Sequence, residues 1–283
     1  MTASGISTAL TEIAEQLKPR LPDDLSRLML DGALRVLADA SNPVRLHLFA
    51  PAVREMMNHT LGVLAPNAEI EACGWFVPRA TKNKIWRVDR ANYIIRAGLP
   101  DAFVEDELRF ELRGATEAVA EAVEELNRLT HVKPTTLRLD GEDIAETATR
   151  ILDAFVALLD TAVSFREDLS RRVVEHCPEV VFAAAISETI GEIDELASHH
   201  SIEWPSVDEV GLAKLDARTI EFVASGNIYA TLEWGRGDDY AEMSETFPFT
   251  MTLRAPATHP FDVVADRDTL KVDSSGWYGS GKE

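Results

Sequence analysis

Apolar residues recur at alternating spacings of three and four through the first two-thirds of the chain. Leu108, Leu112, Ala115, Val119, Ala122, Leu126 and Leu129 form one series, and Ile144, Ala148, Ile151, Phe155, Leu158, Ala162, Phe165 and Leu169 form a longer one. That rhythm returns an apolar side chain to one side of a helix, so it predicts two amphipathic helices packed on each other along a bundle or coiled-coil seam. Pro100-Asp101 and Gly141-Glu142-Asp143 supply helix starts. Cys177-Pro178 predicts the end of the longer helix, because proline removes a donor and restricts the residue before it. A third helix is predicted from about Pro43 to Leu64, with Leu46, Phe49, Ala50, Val53, Met56, Met57, Leu61 and Leu64 on one broad apolar face.

Beyond about residue 196 the period changes to two. Ile228, Ala230, Leu232 and Trp234 alternate with Tyr229, Thr231 and Glu233, and Phe247, Phe249, Met251 and Leu253 alternate with Pro248, Thr250 and Thr252. Alternation of this kind describes strands with one buried face. Ser225-Gly226-Asn227 is predicted as a hairpin turn and the run from Gly235 to Asp239 as a loop. The expected fold class is therefore α+β: a helical bundle domain over residues 1–195, then an antiparallel β-domain over residues 196–283, of roughly four to six strands.

A length of 283 residues allows a sizeable core in each of two domains, and 46% hydrophobic content describes a folded chain. No apolar run approaches the roughly 20 residues that cross a bilayer. Met1-Thr2-Ala3-Ser4-Gly5 has neither a basic nor an apolar leader region, so a cytoplasmic location without a membrane partner is expected. Cys73 and Cys177, far apart in sequence, support neither a disulfide framework nor a cysteine metal site.

The formal net charge is −20, which rules out coating of nucleic acid by the whole surface and leaves only a local site. From Arg79 to Arg96 there are six basic residues against one acid, whereas residues 186–283 hold nineteen acids against seven bases. Lys82, Lys84, Arg87, Arg90 and Arg96, with Trp86 interleaved, are therefore the candidate nucleic-acid contacts: cations for phosphates and an aromatic ring for bases. The alternative is docking of this segment onto the acidic C-terminal region.

Arg54-Glu55-Met56-Met57-Asn58-His59 places R-x-x-x-x-H on the third helix. Metal-free RNA cleavage needs a group that exchanges protons near neutral pH and a permanent cation for the phosphorane. In that reading His59 exchanges the 2′-OH proton, Arg54 stabilises phosphorane charge, Asn58 orients one of them, and His131 is a second imidazole; no cofactor or metal is needed. Ion-pairing of Arg54 with one of the many acids is the plain alternative. Arg54 and His59 diverge by about 140° on an ideal helix, so a composite site across a homodimer is expected. Arg171 and His176 repeat the spacing elsewhere. A rival chemistry would bind a metal with Asp238, Asp239, Glu242 and Glu245, or with Asp266 and Asp268. A third reading is a non-catalytic binding module for nucleic acid or protein.

Several segments carry a family resemblance: Asn42-Pro43-Val44-Arg45-Leu46 leading into Arg54…His59, Leu64-Ala65-Pro66, Cys73-Gly74-Trp75-Phe76, and Asn127-Arg128-Leu129-Thr130-His131. Farther on come Ile190-Gly191-Glu192-Ile193-Asp194, Leu232-Glu233-Trp234-Gly235, Phe247-Pro248-Phe249 and Val272-Asp273-Ser274-Ser275-Gly276-Trp277-Tyr278. Over about residues 40–278 this series resembles the predicted PIWI-associating nucleases of bacterial mobile-element and phage conflict systems. The resemblance implies a nuclease, with RNA or DNA as partner and a second protein of a defence operon alongside. The R-x-x-x-x-H itself resembles the signature of HEPN-type ribonucleases, helical bundles that dimerise to pair two such motifs. That signature has a polar residue just after the arginine, where this chain has Glu55, and Asn58 stands instead before His59.

Overall fold

A computed structural model of the chain describes residues 7–79, 85–187 and 190–278. Helices occupy the N-terminal part: α1 (Thr8–Leu17), α2 (Asp24–Ala38), α3 (Arg45–Leu64), α4 (Asn67–Ala72), α5 (Arg87–Arg96), α6 (Arg113–Leu129), α7 (Gly141–Val173), α8 (Cys177–Ser187) and α9 (Gly191–Asp194). Five strands follow, β1 (His199–Ile202), β2 (Ser206–Leu215), β3 (Thr219–Trp234), β4 (Ala241–Pro256) and β5 (Val264–Val272). This is the α+β arrangement expected from the change of period. The chain divides into two compact units, one of residues 1–97 and 104–165 and the other of residues 98–103 and 166–283. The units thus divide within α7, while the change from helix to strand comes after α9.

In the first unit α3 is the central helix, packed by α2, α5 and α6. It can fill that position because apolar residues cover most of its circumference: Leu46, Phe49, Ala50, Val53, Met56, Met57 and Leu61 are all buried. Burying each of the larger of these side chains stabilises by roughly 1.5–3 kcal/mol. Asp23 starts α2, accepting from the Ser26 N–H at 2.9 Å, and Asp140 starts α7, accepting from the Glu142 and Asp143 N–H groups at 2.9 Å. Both carboxylates satisfy donors that the first helical turn leaves without partners.

Two helical expectations are corrected. Leu108 and Leu112 do not extend α6, which begins at Arg113; residues Phe103–Glu107 form a π-helical turn and Arg109 takes a left-handed φ of 51°, which interrupts any continuous helix. Pro178 does not end α7. That helix stops at Val173, one 3-10 turn follows, and Pro178 sits in the first turn of α8, where its missing N–H costs nothing.

In the second unit all strand pairs are antiparallel. β3 is the spine, bonded to β1 and β2 along one edge and to β4 along the other, with β5 beyond β4. The alternation puts Ile220, Phe222, Ala224, Ile228, Ala230 and Leu232 of β3 beside Phe247, Phe249, Met251 and Leu253 of β4 in the core. α8 packs against β2 and β5. The predicted turn at Ser225-Gly226-Asn227 is overturned: these residues lie within β3 and pair with both β2 and β4. A Cβ at Gly226 would fall 1.9 Å from the Ser206 carbonyl oxygen, so glycine is there for close approach of β2 beside a bulge rather than for a turn. The loop after β3 is as expected, with Gly235 and Gly237 at φ of 70° and 62°. No helix among the described residues is long and apolar enough to cross a membrane.

Candidate nucleic-acid interface and histidine pair

α3 presents three different environments within six residues. Asn58 and Leu61 share a side of the helix and line a cleft of about 520 Å³ together with Trp86, Arg87, Arg90 and Glu124. Arg87 Nε donates to Asn58 Oδ1 at 2.9 Å, and no carboxylate pairs with the Arg87 guanidinium among the described residues. Trp86 is 49% exposed, with the Arg79 guanidinium stacked over its ring at 4.4 Å. A buried acid organises this edge: Asp89 accepts from the Trp86 backbone N–H at 2.7 Å and from Arg79 at 2.5 Å. The start of α5 is thereby fixed by an N3 carboxylate reaching back to the residue before the helix. A cation and a half-open indole held side by side can take a phosphate and stack a base.

Arg90 also lines the cleft, but its guanidinium donates to the Ala65 carbonyl at the end of α3 and to Asn67 Oδ1 at 2.6 Å. Burial pulls the Arg90 guanidinium below its ordinary pKa. Its main work is to satisfy a helix terminus. Arg96, expected beside these residues, is instead buried and stacked over Trp75 at 4.6 Å; the α5 period carries it to the core side, away from the cleft. Lys82 and Lys84 lie outside the described residues.

Arg54 and His59 face different partners. Arg54 donates through Nε and Nη2 to Glu55 Oε1 at 3.2 and 3.0 Å. His59 Nε2 lies 2.6 Å from Asp23 Oδ2. Hydrogen bonds from the Ser26 hydroxyl and backbone, and then from His59, hold the Asp23 carboxyl well below the usual carboxylate range. An ionised acceptor at Nε2 requires the proton there, which leaves Nδ1 of the neutral ring as the lone-pair nitrogen. A carboxylate that fixes the tautomer of a part-exposed imidazole is a suitable arrangement for proton transfer. His47, near Arg54 and Asn58 on a helical wheel, is buried and donates from Nδ1 to the Leu129 carbonyl at 2.8 Å, so it clamps the end of α6.

His131 is exposed one residue beyond the C-cap of α6 and does not line the cleft. Among the described residues its ring makes no hydrogen bond or ion pair. At the second R-x-x-x-x-H, Arg171 pairs with Asp168 while the His176 ring packs on Phe261 at 4.5 Å, so this pair is not convergent either. Asp238 and Asp239 stand on an exposed 3-10 turn. No group of three or more His, Cys, Asp or Glu side chains that could hold a metal ion occurs among the described residues.

Asp23 is a site residue that the sequence pattern does not single out, whereas Arg79 and Asp89 fall in the basic segment with no local signal that assigns them a role. Asp23-Asp24-Leu25-Ser26 before an apolar run is a readable N-cap, but nothing local shows that its carboxylate also reaches His59, thirty-six residues away.

Comparison with protein families gives two adjacent matches with the same description. Residues 18–155 match one model of predicted pPIWI-associating nucleases, and residues 162–278 match a second. Their division falls within α7, as does that of the compact units. No curated protein and no solved structure matches the chain. Between them the two family matches take in nearly the whole chain, which belongs to the predicted pPIWI-associating nucleases.

Proposed function

We propose that this protein is a metal-independent endoribonuclease of a prokaryotic conflict system, active as a homodimer. Its helical unit holds single-stranded RNA at the Trp86–Arg87 cleft. Asn58 carries the reading: it stands immediately before His59 and anchors Arg87 at 2.9 Å, tying the R-x-x-x-x-H helix to the basic, aromatic segment. In the reaction His59, oriented by Asp23, takes the 2′-OH proton through Nδ1, and the 2′-oxygen attacks the adjacent phosphorus. An arginine stabilises the added negative charge, and the 5′-oxygen leaves with a proton from a second acid. Because Arg54 and His59 of one chain face different partners, the arginine that meets His59 comes from a second copy, the HEPN-like arrangement. His131, exposed, is available as the second acid.

A second reading is favoured by that same Arg54–Glu55 pair: a nucleic-acid-binding partner module without cleavage. Labelled RNA and DNA, each incubated with the protein in EDTA and in Mg²⁺, separate these. RNA cut in EDTA to 2′,3′-cyclic phosphate ends, with DNA intact, supports the ribonuclease. Cleavage that requires Mg²⁺ points to carboxylate–metal chemistry, and binding without cleavage to the partner module.

A further inference from the structure

From a second cavity in the helical unit, we infer that the protein binds a small ampholyte, its carboxylate seated on Arg45 and its ammonium group facing Glu142 and Glu146. Arg45, the first residue of α3, is 7% exposed, and its buried Nη1 has no hydrogen-bond partner. Among the described residues no carboxylate pairs with it. Asp39, whose acidity is raised first by the Ser41 hydroxyl and less by the Arg45 charge, has its Oδ1 on Ser41 at 2.5 Å. A buried guanidinium without an acceptor is costly, because a charged donor has given up water and gained nothing.

Arg45 lines a cavity of about 840 Å³ that also touches Gly141, Glu142, Ala145 and Glu146. A Cβ at Gly141 would lie 3.5 Å from Arg45 Nη2, so the guanidinium sits against the first turn of α7. Asp140 already occupies the Glu142 and Asp143 N–H groups there, which leaves the guanidinium as the group that can take an anion. Glu142 and Glu146, four residues apart, share a face of α7, are exposed, and pair with no cation among the described residues. Arg150, the next residue of that row, is committed to Glu125 at 2.6 Å.

Asp153 lines the cavity as well, and one uncommitted guanidinium against three carboxylates repels a phosphate dianion and suits a ligand with one negative and one positive end. Alanines 9, 40 and 145 supply the apolar wall for the chain between them. Gly141 and Glu146 are separated by about 7.5 Å along the helix axis, close to the span of 6-aminohexanoate.

Calorimetric titration with 6-aminohexanoate, hexanoate, hexylamine and inorganic phosphate tests this. 6-Aminohexanoate should bind the full-length protein at least about tenfold more tightly than either single-ended analogue, the expected loss for one charge-assisted hydrogen bond. Arg45→Met should remove binding of both carboxylates. Because Arg45 is buried, a second variant is needed: Glu142→Gln with Glu146→Gln, at exposed positions, should weaken 6-aminohexanoate by a similar factor and leave hexanoate bound no more weakly than before. No binding of 6-aminohexanoate at millimolar concentration, equal binding by the double-glutamine variant, or preference for phosphate would each overturn the assignment.

Discussion

His59 Nε2 stands 2.6 Å from Oδ2 of Asp23, and the same carboxylate caps the N-terminus of α2. One side chain therefore couples helix start and imidazole orientation. Its depressed pKa means that the stability it contributes is complete above the ordinary carboxylate value of 3.8 and is lost as pH falls through the lower folded value. Asp23→Asn should lower the melting temperature at neutral pH. It should also lose less on acidification from about pH 4 to about pH 2 than the unmodified protein does. Parallel acid limbs in the two thermal-melt series would show that Asp23 is not the titrating group.

Single-residue removal tests the chemistry. His59→Ala should slow RNA cleavage by about 10²–10⁴ in rate, and Arg54→Ala by a comparable factor from lost charge stabilisation. Neither should alter the circular dichroism spectrum, since both side chains lie off the buried stripe of α3.

The separation of Arg54 from His59 makes a sharper prediction for assembly. If the working site pairs Arg54 of one copy with His59 of another, mixing the two inactive variants creates heterodimers with one intact site. Random exchange should then restore about a quarter of the unmodified activity. A mixture as inactive as its components would place the site within one chain.

Trp86 and Arg87 should affect binding differently. Trp86→Ala should weaken single-stranded RNA binding by roughly 1–3 kcal/mol, the usual worth of a base stacked on an aromatic ring. Arg87→Ala should weaken it while lowering the salt slope by about one. Asn58→Ala should resemble a milder Arg87→Ala, because it frees a guanidinium now anchored at 2.9 Å. Salt titrations of affinity for each variant distinguish a phosphate contact, which changes the slope, from a helix contact, which does not.

In the sheet, Gly226→Ala should destabilise by about 1–3 kcal/mol as β2 is pushed off β3, since the new methyl would meet the Ser206 carbonyl oxygen at 1.9 Å. Gly211→Ala, with no atom within 4 Å of the new carbon, is the control and should be nearly neutral. Equal denaturant midpoints for the two variants would contradict the close approach seen at Gly226.

The sequence by itself determined the elements that repeat. Spacings of three and four set the helices, because burying a stripe is a local demand with a fixed period. Strict alternation set the second half of β3, from Ile228 to Trp234, and the Phe247–Leu253 stretch of β4 for the same reason. It also marked Arg54, His59 and the basic segment as chemically unusual within an acidic chain. Even-numbered core positions continue in phase on either side of Gly226, from Ile220 to Ala224 and from Ile228 to Leu232, a period that speaks against a turn there. Tertiary structure alone decided which groups meet. Asp23 reaches His59 across thirty-six positions, Asn58 reaches Arg87 across twenty-nine, and Arg96 turns inward onto Trp75. Such pairings depend on how one helix is rotated and translated against another, a consequence of the summed packing of many side chains that no short stretch of sequence encodes.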